Sequence, residues 1–366
     1  MDFRFTQEQD EAAELAAGIL KDRVTNDRLK AVEAAGDRFD RDLWSELGSA
    51  GLLGLALPEE YDGAGLGIVE LGRVLVEVGR TVAPVPLASH GPAARVIAEL
   101  GSDAQKQQWL PGAASGAKVL TAAVAEDRAW APTRPTTVAT PEGDGYRLTG
   151  SKAVVPAGPY ADLFLVPAET PSGVVVFLVE PGDEGVTVVA QTYSDGDGVA
   201  RLDLDGALLG ADRVIEGADD RLRQLLVLAG AAEQLGITEG ALRLTSSYAK
   251  TREQFGRPIG TFQAVSQRLA DGYIDVLGQR LTLWQAAWRL DQGLPAESEV
   301  AIAKLWAADA GHRLAHTTVH VHGGVGIDLD GEAHRYFTSA KRFEFQNGGA
   351  TEQALNVGRI LAAEPA

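Results

Sequence analysis

Apolar side chains recur every three or four positions at Ala12, Leu15, Ala16, Ile19 and Leu20, the period of a helix that buries one face. Thr6 opens that run with Gln9 three residues on, a capping-box pair. FDRDLWSELGSAGLLGLALPEEYDGAGLG (39–67) reads as a short helix running into a Gly- and Pro-rich loop. IVELGRVLVEVGRTVA (68–83) and HGPAARVIAELG (90–101) are two more apolar-faced helices. SDAQKQQWLPGAASG (102–116) predicts another, capped by Ser102 and stopped by Pro111 and Gly112.

Near Lys118 the period changes. VLTAAVAE, YRLTGSKAVVP, ADLFLVPA, GVVVFLVEP, VTVVAQ and ARLDLDGALL are short and rich in β-branched residues, with turn residues such as Glu142-Gly143-Asp144-Gly145 between them. From about Asp219 long amphipathic helices return, in residues 221–256, 261–293 and 298–324. Long helices joined by short loops predict an antiparallel bundle. The expected fold is α+β and multi-domain: an N-terminal helical domain over residues 1–118, a middle β domain over 119–217 and a C-terminal helical bundle over 218–366.

Composition narrows the function. The 366 residues carry a net charge of −18, which disfavours phosphate backbones and anionic lipid surfaces as partners. There is no cysteine, so disulfides, thiolate nucleophiles and Cys-ligated metals are excluded. The acidic start MDFRFTQEQDEAAELAAG lacks the basic region of a secretory signal, and no run approaches 18 uncharged apolar residues. A cytoplasmic protein, touching neither nucleic acid nor membrane, is the expectation. His312 and His316 share a helix face at i, i+4, but no third ligand stands near, and no metal is expected.

The chemistry concentrates in YAKTREQFGRPIGTFQAVSQRLAD (248–271). A long helix is expected to end near Gln254-Phe255, Gly256 and Pro258 to make a tight turn, and a second helix to start after Thr261. Arg252 can grip a phosphate or carboxylate with two parallel hydrogen bonds. Phe255 and Phe262 flank the turn, and Gln263 offers an amide to a polar ligand edge. On these residues alone a plain surface turn remains open.

As a whole string, YAKTREQFGRPIGTFQ closely resembles the signature of the acyl-CoA dehydrogenase family. So do LWSELGSAGLLGLALPEEYDGAGLG, QKQQWLPGAASG, LTGSKAVVPAGPYADLFLVPA and VHVHGGVGI, in the same order and over nearly the whole chain. The resemblance implies an N-terminal helical domain, a β-barrel-like middle domain and a C-terminal four-helix bundle, with FAD as cofactor. It implies removal of the α and β hydrogens of an acyl-CoA thioester, a glutamate taking the α proton and the flavin the hydride. Subunits of the family pair tightly, and each FAD reaches by its diphosphate and adenine end into the neighbour. By that resemblance Arg252, Phe255, Phe262 and Gln263 are neighbour-reaching contacts. His320 with Gly323 and Gly324 should form a second such patch, the glycines allowing close approach to the backbone.

Three stretches depart from the family. Asn347, in Asn347-Gly348-Gly349-Ala350-Thr351-Glu352-Gln353, stands where the catalytic Glu is expected, and an amide is no general base near neutral pH. Gly349 replaces a Thr that helps hold the subunit's own FAD. AEDRAWAPTRP (125–135) keeps Glu126 and Pro132 but lacks the family's Gly-Ser-Asp turn. Some members carry the Glu on the first long helix of the last domain, where this chain has Leu226; Glu233 lies two turns on, and Glu344 and Glu352 flank the altered loop. The chain therefore resembles the base-less subunit of paired actinobacterial dehydrogenases that act on steroid side-chain CoA thioesters. A homologous subunit would supply the Glu in an α2β2 heterotetramer, with an electron-transfer flavoprotein as acceptor. The alternatives are a self-sufficient homotetramer with a relocated base such as Glu233, and a non-catalytic scaffold of the same fold.

Overall fold

The computed structural model describes residues 4–363. Six helices come first: α1 (Gln7–Arg23), α2 (Asn26–Ala35), α3 (Arg41–Ser49), α4 (Ile68–Arg80), α5 (Leu87–Leu100) and α6 (Asp103–Ser115). Strands follow: β1 (Leu120–Ala122), β2 (Val138–Glu142), β3 (Gly145–Pro156), β4 (Leu163–Thr170), β5 (Gly173–Val179), β6 (Val186–Thr192), β7 (Gly198–Leu209) and β8 (Val214–Ile215). The rest is α7 (Asp219–Thr251), a small hairpin of β9 (Glu253–Gln254) and β10 (Arg257–Pro258), then α8 (Gln263–Asp291), α9 (Glu297–His322), α10 (Ala333–Phe345) and α11 (Ala350–Ala363). The chain forms two compact units. One takes the chain up to Lys30, Gly72–Ala83 and everything from Gly230; the other takes Ala31–Leu71 and Pro84–Ala229.

Capping chemistry sets several helix starts. At α1 the Thr6 hydroxyl accepts from the Gln9 N–H while the Gln9 amide oxygen accepts from the Thr6 N–H. Ser102 and Gln105 repeat that box at α6. The helix α6 does not stop at Pro111 and Gly112, as expected, but runs one turn further. Gly116 ends it, in the left-handed region at φ +77°, where a Cβ would fall 2.8 Å from Leu53 and 3.0 Å from Trp44. Glycine adopts that conformation without steric cost, so it, not the proline, sets the stop.

The strands join in the order β6-β7-β3-β2-β4-β5-β8, with β1 parallel to β4. The expected β-barrel is not closed: β6 and β8 are edges of an open sheet. The two-residue Gly143-Asp144 turn puts Glu142 opposite Gly145, as the turn residues predict. The buried face carries Leu148, Phe164, Phe177 and Leu202. In the same unit His90 of α5 accepts the Leu120 N–H at Nδ1 (3.1 Å) and therefore presents Nε2–H to the Ala113 carbonyl (3.2 Å). Burial pushes this ring down to about 4, so it stays neutral.

α7 is long and apolar enough to cross a membrane by length and composition, yet 89% of its most apolar window is buried inside the protein, as in a core helix. α8 lies close on α9 because two glycines permit it. A Cβ at Gly272 would sit 2.7 Å from Leu314, and one at Gly278 2.6 Å from Trp306.

Candidate functional site

The signature turn is a hairpin rather than a continued helix. α7 ends at Thr251, short of the expected Gln254-Phe255, and the Arg252 carbonyl accepts the Ile259 N–H (2.8 Å) to close the loop. β9 and β10 pair Gln254 with Arg257, so Phe255 and Gly256 form the two-residue turn at φ +53° and +76°. Two positive φ values are what a tight hairpin asks for, but a phenylalanine in that region is strained. Its ring is nevertheless 94% exposed. A strained, fully exposed aromatic has no folding rationale and points to something that covers it. Phe255 meets Phe262 edge to face at 6.1 Å, and the Arg257 guanidinium lies 4.3 Å from the Phe262 ring centre. Arg252 and Gln263 are exposed, and neither side chain bonds to any described residue.

The second patch lies at the end of α9. Tyr248, in the last turn of α7, stacks on His322 with ring centres 4.3 Å apart and 24° between planes. The His322 Nδ1 is held by the Thr318 carbonyl (2.8 Å). That stack puts the 252–263 turn and the 320–324 turn at the same end of the helices. The sequence reading named His320, which is exposed, and missed the buried His322 and its partner Tyr248. The signal available was Tyr248 itself, the first residue of the signature string, one turn ahead of Arg252. Gly323 sits at φ +65°, and a Cβ on Gly323 or Gly324 would meet nothing within 4 Å. The backbone conformation of Gly323 calls for glycine, while Gly324 has neither a positive φ nor a close neighbour to require one.

The altered loop follows α10. Asn347 is 7% exposed at φ +61°, and its carbonyl accepts from the Gln353 amide (3.1 Å). Its Nδ2 lies 3.7 Å from where a Cβ on Gly230 of α7 would be, so the side chain faces that helix. Each nearby carboxylate is engaged elsewhere. Glu344 binds His312 (3.1 Å) and Lys341, Glu352 accepts the Gly349 N–H (3.0 Å), and Glu233, 5% exposed, pairs with Arg342 (3.7 Å). Lys304, on α9, anchors the loop from below: its ammonium donates to the Phe343 and Glu344 carbonyls at the end of α10. Burial drives that ammonium down to about 7. A lone lysine in the apolar phase of AIAKLWAAD was the sequence signal, and it passed unread. His312 is thus tied to Glu344 and Lys341, with His316 only in ring contact at 4.6 Å.

In the sheet unit, residues 125–135 turn back on themselves through the Glu126–Ala129 bridge, with Arg128 at φ +66°. The Glu126 carboxylate takes five donors: the Thr136 N–H (2.6 Å) and hydroxyl (2.7 Å), the Thr137 N–H (3.0 Å) and hydroxyl (2.7 Å), and the Lys152 ammonium (2.7 Å). Lys152 also donates to the Pro167 carbonyl (2.8 Å). Burial alone would raise the Glu126 carboxyl, but these donors overcome it and hold it at about 2. Both ions are buried, so this network braces the segment.

An anionic, planar cofactor end fits the exposed patches: an uncommitted guanidinium, a bare aromatic pair and two glycines in open space. Comparison with known proteins identifies the family. Residues 6–117 match the acyl-CoA dehydrogenase N-terminal domain and 228–362 the C-terminal domain. Acyl-CoA dehydrogenase FadE27 of Mycobacterium tuberculosis is 47% identical over 377 aligned residues, covering all of both chains. The structure of the ChsE4-ChsE5 complex of Mycobacterium tuberculosis superposes with a TM-score of 0.96 at 47% identity, covering all of both chains. The G363A variant of the Tcur3481-Tcur3483 steroid ACAD gives 0.94 at 41%, covering 98% of each. Two family domains collinear with the helical ends of the fold, and relatives aligned end to end, make this chain a member of the acyl-CoA dehydrogenase family.

Proposed function

We propose that this chain is the base-less subunit of a heteromeric acyl-CoA dehydrogenase, completed by a homologous chain. Members of the family are FAD-dependent oxidoreductases acting on CH–CH bonds, and this chain is one. What carries the finer reading is Asn347. It is buried where the proton-abstracting Glu is expected, and Glu233, Glu344 and Glu352 each hold another partner.

Arg252 then clasps the diphosphate of an FAD seated chiefly in the homologous subunit. Phe255 and Phe262 cover its planar end, Gln263 and His320 offer polar contacts, and Gly323 and Gly324 let it approach the backbone. The flavin supplies the hydride acceptor; this chain supplies charge, shape and exclusion of water. Steroid side-chain CoA thioesters are the proposed substrates and an electron-transfer flavoprotein the proposed acceptor, in the cytoplasm. Support comes from the similarity to a steroid ACAD and to a two-component complex.

The test is to purify the chain alone and with its homologous partner, then record flavin absorbance and thioester oxidation. Flavin and turnover only in the co-purified complex are expected. Full activity of the chain alone overturns the proposal and favours a relocated base. A complex without flavin favours a scaffold.

A further inference from the structure

The patch at the end of α9 continues into a long turn, residues 323–332, that leads to α10. Four of its first nine residues are glycines, which leave an unbraced chain many conformations. Apolar packing does not hold it: Val325, Ile327 and Leu329 are 51%, 67% and 73% exposed. Its own backbone supplies little, the Ile327 N–H reaching the Gly324 carbonyl at 3.4 Å and the Gly331 N–H the Asp328 carbonyl at 3.0 Å. A turn that offers Gly323 and Gly324 to a ligand in one conformation needs a brace from elsewhere.

The brace comes from α2. The Asn26 Nδ2 donates to the carbonyl of Asp330 (3.0 Å), 304 residues away in sequence. The Asn26 Oδ1 accepts from Arg335 (2.7 Å), which also donates to the Gly331 carbonyl (2.9 Å). Arg335 is buried, so its end of the brace is fixed. Lys30, one helical turn after Asn26, donates to the Asp330 carboxylate (2.8 Å). Asn26 is not needed to start its own helix: Thr25 caps α2, its hydroxyl accepting the Arg28 N–H (3.2 Å). Both ends of the Asn26 amide therefore serve the turn. We infer that Asn26 is a positioning residue for the cofactor: with Lys30 it holds the 323–332 turn where Gly323 and Gly324 meet FAD. It rests on those glycines receiving the cofactor as proposed. Loosening the turn lowers the fraction of chains competent to bind, and the apparent affinity falls by that fraction.

The test is titration of the flavin-stripped complex with FAD for wild type, Asn26→Ala, Asn26→Asp, Lys30→Met and Arg252→Ala, beside amide hydrogen exchange and thermal unfolding of the same complexes. Asn26→Ala should raise the Kd for FAD about 3- to 10-fold, the change that one neutral hydrogen bond makes in an equilibrium constant. It should speed exchange over residues 324–331 while the unfolding midpoint and the turnover at saturating FAD stay as in wild type. Asn26→Asp keeps the acceptor for Arg335 and should fall between. Lys30→Met breaks only an exposed pair and should do least. Unchanged FAD affinity in Asn26→Ala, with Arg252→Ala weakened, overturns the inference and leaves the cofactor assignment standing. If neither variant moves, the cofactor assignment falls and takes the inference with it. Lost turnover at saturating FAD, or a lowered midpoint without faster exchange in the turn, overturns it as well, since Asn26 would then be a purely structural residue.

Discussion

Replacing Arg252 with alanine separates folding from cofactor binding. The Arg252 N–H donates to Tyr248 and its carbonyl accepts from Ile259, and both bonds survive in alanine. Its guanidinium is exposed and bonds to no described residue, so the fold should lose nothing measurable. A charge-assisted contact to a phosphate is worth about 1.5–3 kcal/mol, which converts to roughly a 10- to 160-fold rise in Kd for FAD. Arg252→Lys keeps the charge but not the two-pronged geometry and should fall between. The assay is titration of the flavin-stripped complex with FAD, following fluorescence quenching, beside thermal unfolding of each variant. FAD affinity within twofold of wild type for Arg252→Ala would refute the reasoning. A lowered unfolding midpoint at unchanged affinity would do so too, since it would make Arg252 a structural residue.

The Glu126 network gives two predictions on stability. Glu126→Ala strands the Lys152 ammonium with one carbonyl and should cost about 3–5 kcal/mol in chemical denaturation, whereas Lys152→Met leaves the carboxylate four donors and should cost less; the reverse order would refute the assignment of the carboxylate as hub. Because the Glu126 carboxyl is held at about 2 against an ordinary 4.5, the unfolded chain binds more protons between those values; stability present above pH 4.5 should drain away as pH falls to 2, and Lys152→Met should flatten that slope in acid unfolding curves. Asn347→Glu should not restore turnover at this chain's own site, because Gly349 still lacks a hydroxyl and residues 125–135 remain folded about Glu126; reduction of flavin by substrate in the variant chain alone would show that site to be intact.

What was legible followed from local rules. The capping box at Thr6, the cap at Ser102 and the Glu142–Gly145 turn depend on residues three or four apart, and they stand as read; the Gln105 half of a second box went unread. The signature residues 252–263 were legible as a string, but their form was not: the reading extended α7 over Gln254 and Phe255, since nothing in a helical pattern says that phenylalanine will take a positive φ. The open sheet was illegible for a related reason. Alternating apolar residues announce strands, while closure depends on whether β6 and β8 pair, a contact between segments far apart in sequence. The same distance hid Lys152–Glu126 and Lys304–Phe343, each a buried lysine whose partner lies 26 or 39 residues away.

Those two lysines bear on the question raised by Asn347. Buried charge is costly, so a fold keeps it where the charge does something. Lys304 fastens the end of α10, immediately before Asn347, and Lys152 fastens the segment after Glu126. Loops that had merely drifted after losing a catalytic role would have no reason to remain so firmly tied. Yet the carboxylates near Asn347 in the same unit are committed: to a lysine and a histidine, to a helix N-terminus, to an arginine. Exposed, uncommitted polar groups stand instead at the Arg252 turn and at His320 beside Gly323. If the proposed function holds, the loop around Asn347 is a braced structural element and the contribution to cofactor binding lies at those exposed turns.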